Sequence, residues 1–130
     1  MKTSIKHNSK KPFILIADDD AACLDVLVKM LGILGYEAFG VRDGKEAIEA
    51  YNSMKNKIDL VILDMIMPFN GEKAYTKLRK IDKNAKILLI SGYTEDFKLR
   101  ALLNQGYSGF VEKPFNMNSL KTNISKLLNH

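Results

Sequence analysis

Cysteine occurs once in these 130 residues, as Cys23. No internal disulfide can form, and a reducing, cytoplasmic setting is expected. The lone thiol is expected in the interior, as a small apolar residue. Long hydrophobic runs are also missing: none approaches the ~18 apolar residues of a membrane span, so no direct membrane contact is expected. Residues 1–12 lack the apolar segment of a secretory signal. There is no internal repeat, no low-complexity stretch and no sign of a second domain. The length suits one domain, which at this size buries roughly two-thirds of the surface of its unfolded chain.

Acidic residues are absent from the first twelve positions, which carry Lys2, Lys6, Lys10 and Lys11. The formal net charge of +5 therefore has a local origin. Without those four lysines, 16 basic residues face 15 acidic ones from Phe13 onward. A body this close to neutrality has no basic stripe to track a phosphate backbone, so direct nucleic-acid binding is not expected. Residues 1–12 read as a flexible basic tail, a solubilising leader or linker, and 13–130 as the folded domain.

What is present is an alternation of short apolar runs and longer periodic stretches. Phe13–Ala17 is continuously apolar and stops at Asp18-Asp19-Asp20. Residues 58–63 and 86–90 are similar runs, too short for helices and rich in branched side chains, as strands buried on both faces require. Glu37–Val41 reads as an edge strand and 110–113 as a weaker one. Between them the spacing turns helical. Leu24, Leu27, Leu31 and Leu34 mark a first helix, capped by Asp20 and ended by Gly35. Ala47, Ile48 and Tyr51 mark a second, and Ala74, Leu78 and Ile81 a third. Ala101, Leu102 and Gly106 mark a fourth that starts near Thr94. Met117, Leu120, Ile124 and Leu127 mark a fifth, capped by Asn116. The expected fold is α/β, a doubly wound five-stranded parallel sheet with helices on both faces.

In such sheets ligands bind beyond the carboxyl ends of the strands. Asp18 and Asp19, Asp64, Ser91 and Lys113 run off four of those ends. Carboxylates 4–5 Å apart repel by roughly 3–4 kcal/mol per pair at an effective dielectric of about 20, so three together call for protons or a cation. With no histidine or cysteine among them, hard carboxylate oxygens select Mg²⁺ or Mn²⁺. Magnesium takes one or two carboxylates plus phosphate oxygens, which leaves one aspartate free to act as a nucleophile toward phosphorus. Phosphoryl transfer then needs charge compensation, which the Lys113 ammonium and the Ser91 hydroxyl supply. A cis peptide at Pro114 would fix the loop that aims Lys113. Each residue alone is ordinary: a double aspartate often caps a helix, and a lysine is often plain surface. Their arrival together on one rim carries the argument.

The segments ILIADDD, LVILDMIMP, ILLISGY and GFVEKPF resemble the response-regulator receiver domains of two-component signalling, with matching spacing from Phe13 to about Leu128. The resemblance implies a flavodoxin-like sheet of order 2-1-3-4-5. It implies Asp64 as phosphoacceptor, Asp19 as a direct metal ligand and Asp18 as one acting through a coordinated water. Asp64 and the backbone carbonyl of Ile66 complete the implied metal set. Ser91 and Phe110 match the switch pair of the family and Lys113 its lysine. The implied donor is a phosphohistidine on a histidine kinase or a histidine phosphotransfer domain. The implied output face joins the fourth helix, the last strand and the fifth helix, where a downstream protein or output domain docks. Two departures stand out. Only Phe69 and Asn70 separate Pro68 from Gly71, where three residues are common. Phe110 lacks the hydroxyl of the tyrosine often found there, so a switch here rests on packing.

Ile66 and Tyr93 lie two residues beyond Asp64 and Ser91 and are expected to flank the route of water to a phosphoryl group. Neither can orient a water, which implies slow loss of phosphate. The alternative reading is an enzyme, a magnesium-dependent aspartyl phosphatase. Such enzymes place an acid two residues past the nucleophile, where this chain has Ile66. A flavin-binding flavodoxin would need a Ser/Thr/Gly-rich loop after the first strand, where three acids stand. A signalling receiver, not an enzyme with its own substrate, is the expected role.

Overall fold

The computed structural model describes residues 11–65, 71–92 and 107–129. Five parallel strands, β1 (Phe13–Ala17), β2 (Glu37–Val41), β3 (Leu60–Asp64), β4 (Ile87–Ser91) and β5 (Ser108–Glu112), pair in the order β2-β1-β3-β4-β5. The expected order 2-1-3-4-5 is the observed one. The described helices are α1 (Ala21–Ile33), α2 (Gly44–Met54), α3 (Gly71–Ile81) and α4 (Met117–Leu128). The fourth helix expected near Thr94, with Ala101, Leu102 and Gly106, lies outside the described residues, so α4 is the fifth of the sequence reading.

Side chains alternate across a strand, so a strand covered on both faces must be apolar throughout. Leu15, Val61, Leu63, Ile87 and Leu89 point to the layer of α2 and α3, where they pack with Ala47, Tyr51, Ala74, Tyr75 and Leu78. Ile14, Ile16, Leu60, Ile62, Leu88 and Ile90 point the other way, onto Leu27 and Leu31 of α1 and Leu120 and Ile124 of α4. All five residues of β3 and of β4 are buried. Hydrophobic burial thus fixes the register of the central strands, and with it the height of the residues at their ends.

Local chemistry sets the helix ends. The Asp20 carboxylate accepts from the amides of Ala22 and Cys23, at 2.9 and 3.2 Å. Gly35, at φ 97°, lets the chain leave α1 through the left-handed turn that its Cβ-free backbone tolerates. Asn116 and Ser119 form a reciprocal capping box at the start of α4. Strand boundaries differ from the sequence reading at two places. β3 begins at Leu60 rather than at residue 58: just before it, the Asp59 amide donates to the Phe13 carbonyl and the Asp59 carboxylate, in place of a backbone carbonyl, accepts from the Phe13 amide, both at 2.8 Å. β5 begins at Ser108 rather than at Phe110, since Ser108 and Gly109 pair with Ile87 and Leu88. A Cβ at Gly109 would lie 3.1 Å from Leu127 and 3.2 Å from Leu88, so the tight cover of α4 favours glycine there. The foot of β5 is held by Arg79 of α3, which donates to the Tyr75 hydroxyl at 3.1 Å and the Ser108 hydroxyl at 2.9 Å.

Candidate functional site at the carboxyl end of the sheet

β1, β3 and β4 end side by side, and each delivers a polar residue into the rim they form. Asp18 follows β1 and is buried; its amide donates to the Val41 carbonyl at 3.1 Å, and its Oδ1 accepts from the Asp20 amide at 2.9 Å. Asp64 is the last residue of β3, and Ser91 the last of β4; both are buried. Asp18, Asp19 and Asp64 each offer a carboxylate oxygen, and these oxygens lie within 4.8 Å of one another. Lys113 comes from the far edge. Its amide donates to the Ser91 carbonyl at 2.9 Å, and its Nζ meets Asp64 Oδ2 at 3.0 Å. The Lys113–Pro114 peptide is cis.

The electrostatics follow from this crowding. Burial alone would depress the Lys113 pKa, but the hydrogen bond and charge of Asp64, helped by Asp18, outweigh it and raise the pKa above that of an ordinary lysine. The ammonium is therefore charged at neutral pH. Cys23, on the first turn of α1, is half-buried rather than fully interior: it packs against the core on the α1 and α4 side and reaches Asp18 by a hydrogen bond. Burial, and then the hydrogen bond to Asp18, push its pKa up to about 12.

A magnesium ion holds its ligands at about 2.1 Å in an octahedron, which separates ligand oxygens by about 3 Å in cis and about 4.2 Å in trans. Three carboxylate oxygens within 4.8 Å need little movement to meet that geometry. Among the described residues the donor set is all oxygen, with the Lys113 ammonium beside it. These residues fit a hard divalent cation.

Phe110 sits at the middle of β5 and packs, partly buried, against the core on the α2 and α3 side. Gly71 opens α3 directly behind the phosphoacceptor candidate: a Cβ there would come 2.6 Å from the Asp64 carbonyl oxygen and 2.7 Å from Met65 Cα. Ile66 and Tyr93 lie outside the described residues, as do Pro68, Phe69 and Asn70. Two neighbours of the acids are missing from the sequence reading. One is Cys23. The other is Arg42, which follows β2 and donates from Nε and Nη2 to the Asp19 carbonyl at 3.2 and 2.9 Å. The helical spacing that brings residue 23 back over residue 20 is a usable signal for the first; nothing local marks the second. A cavity of about 490 Å³ lies at the opposite end of the sheet, lined by Lys11, Tyr36, Asp59 and Lys86 among others, away from the carboxylates.

A doubly wound parallel sheet with three acids, a hydroxyl residue and a lysine at one rim defines a class of phosphoryl-accepting α/β domains. Residues 14–125 match the family described as "Response regulator receiver domain". The chain is 33% identical over 116 residues to "Chemotaxis protein CheY" of Thermotoga maritima, covering 88% of this chain and 95% of that protein. It is 32% identical over 116 residues to "Sensor kinase CckA" of Brucella abortus, covering 88% of this chain and 12% of the kinase. Response regulator TrrA of Thermotoga maritima, solved in complex with Mg(2+)-BeF, superposes with a TM-score of 0.79 at 33% identity, over 90% of this chain and 99% of that one. This chain belongs to the response regulator receiver domain family, and its function is that of a phosphoacceptor receiver in two-component signalling. It thus spans a small fraction of the sensor kinase and nearly all of the chemotaxis protein. Among the described residues, no helix is long and apolar enough to cross a membrane.

Proposed function

We propose that Asp64 is the phosphoacceptor and that the donor is a phosphohistidine on a histidine kinase or histidine phosphotransfer domain. A carboxylate oxygen of Asp64 attacks phosphorus, the bond from phosphorus to the imidazole nitrogen breaks, and the imidazole takes a proton from solvent. The product is an acyl phosphate. Asp18, Asp19, Asp64 and the carbonyl of Ile66 would hold Mg²⁺, or Mn²⁺ in its place, and the ion supplies positive charge toward the phosphoryl oxygens. Lys113 turns from Asp64 to a phosphoryl oxygen, which keeps its ammonium paired throughout. Ser91 donates its hydroxyl to another oxygen, and Phe110 repacks with it. The observation that carries this reading is the Lys113–Asp64 contact of 3.0 Å inside a cluster of three carboxylates.

The receiver unit runs from residue 13 to residue 130, behind a basic segment of residues 1–12. Its setting is cytoplasmic, and the partner face is the one formed by the fourth helix of the sequence reading, β5 and α4. The role is a signalling receiver and not a phosphatase, since Ile66 stands where a general acid would be needed. Ile66 and Tyr93 screen the acyl phosphate from water.

Incubation with acetyl phosphate, with and without Mg²⁺, followed by intact mass, tests the reading. One phosphoryl group should be gained with metal and none in Asp64→Asn. Equal labelling without metal would sink the acidic-pocket mechanism. Replacing Ile66 and Tyr93 together with small polar residues should shorten the acyl phosphate lifetime, and an unchanged lifetime would remove their shielding role.

A further inference from the structure

Arg42 stands outside the acidic cluster, yet it grips the loop that carries two of its carboxylates. Its backbone is itself anchored. The Arg42 amide donates to Glu46 Oε1 at 2.8 Å, and the Glu46 amide donates to Asp43 Oδ1 at 2.8 Å. The N-terminal cap of α2 therefore fixes the point from which the arginine reaches out. From there Nε and Nη2 converge on one acceptor, the carbonyl oxygen of Asp19, across 23 residues of sequence. The same loop is pinned at its other positions by Asp18 N to the Val41 carbonyl and by Asp20 N to Asp18 Oδ1. Arg42 supplies the hold on the Asp19 peptide itself.

We propose that Arg42 is a positioning residue for the metal site, one that fixes the Asp19 peptide and so the direction in which the Asp19 carboxylate leaves the backbone. The inference rests on the reading that Asp18, Asp19 and Asp64 bind Mg²⁺. A guanidinium near a dication is repulsive by charge alone. Any gain in metal affinity from Arg42 must therefore come from geometry, and the sign of the effect separates the two. Lysine keeps the charge but cannot present two coplanar donors to one oxygen. Partners of metal ligands commonly alter affinity by about tenfold to a hundredfold, and an exposed one acts at the low end or below.

The test is a calorimetric Mg²⁺ titration of the full chain as wild type, Asp19→Asn, Arg42→Ala and Arg42→Lys. Urea midpoints and amide exchange are measured on each without metal. Wild-type binding that is lost in Asp19→Asn upholds the metal reading. Arg42→Ala and Arg42→Lys should then each weaken Mg²⁺ by about threefold to tenfold. Exchange at Asp19 and Asp20 should quicken while the urea midpoint barely moves. Unchanged or tighter binding in Arg42→Ala overturns the inference, as does full recovery in Arg42→Lys. A wild type that binds no Mg²⁺ overturns the metal reading instead.

Discussion

The Lys113 ammonium lies 3.0 Å from Asp64 Oδ2, so it compensates the same carboxylate charge that a bound divalent cation would. The two positive groups share one cluster of three acids. Removing the lysine should therefore have opposite effects on two measurable steps. Lys113→Ala is expected to tighten Mg²⁺ by severalfold, because a competing cation is gone. It is expected to slow phosphoryl transfer from acetyl phosphate by at least tenfold, because a contact to the transferred group is gone. Magnesium titration and intact mass against time measure the two. Weakened metal binding together with slower transfer would mean that the lysine organises the pocket instead of competing within it.

Two glycines with opposite surroundings give a prediction about packing behind the site. A Cβ at Gly71 would meet the backbone of Asp64 and Met65 at 2.6 and 2.7 Å, and backbone cannot turn aside. Gly71→Ala should cost about 2 kcal/mol or more and slow phosphorylation, since α3 must move away from Asp64. Gly32 lies on α1, and a methyl group added there would meet nothing within 4 Å. Gly32→Ala should stabilise by about 0.5–1 kcal/mol through helix propensity and leave phosphorylation unchanged. Urea denaturation of both variants checks the pair.

The parts of this molecule that are legible in sequence share one physical cause. β1, β3 and β4 are buried on both faces, so their apolar runs are unbroken, and the residues that end those runs are the residues of the rim. Asp18, Asp64 and Ser91 can be found because the apolar run stops abruptly at a polar residue, and the structure keeps those polar residues buried. Lys113 is legible for its position beside Pro114, and the cross-sheet contact with Asp64 gives that position its meaning. β5 looks short in sequence because Ser108 and Gly109 have little strand propensity; their pairing is dictated by β4 and the cover of α4. Arg42 is silent because an arginine after an edge strand is ordinary. Its contact with Asp19 depends on how two loops meet. Cys23 suggests a core residue by its type, whereas its place on the first turn of α1 points it at Asp18.

Tyr51 and Asp82 form a second polar pair whose pH dependence has a definite sign. The Tyr51 hydroxyl donates to Asp82 Oδ2 at 2.8 Å. That bond, foremost, lowers the Asp82 pKa; burial, and then the same bond, raise that of Tyr51. A depressed carboxylate pKa gives stability that is present above the unfolded value of about 4 and lost as pH falls through the folded one. A raised phenol pKa gives stability that is present below about 10 and lost as pH rises through the folded value. Tyr51→Phe should cost about 1 kcal/mol at neutral pH, with the gap closing toward strong acid. Urea midpoints across pH give the test. A gap that persists undiminished below the depressed Asp82 value would show that the hydroxyl acts through packing alone.

Cys23 offers a chemical probe of the pocket. With its pKa pushed up to about 12, almost none of the thiol is ionised at pH 8. Alkylation by iodoacetamide should be roughly a hundredfold slower than for a free cysteine, the low thiolate fraction being partly offset by the higher nucleophilicity of a basic thiolate. Burial is the larger cause and the Asp18 carboxylate the second, so Asp18→Asn should quicken the reaction without bringing it to the free rate. The rate should keep climbing as pH rises past 10, because the thiol is still titrating there. A rate that levels off below pH 9 would mean that Asp18 does not hold the thiol proton, and that the carboxylate faces the pocket without it.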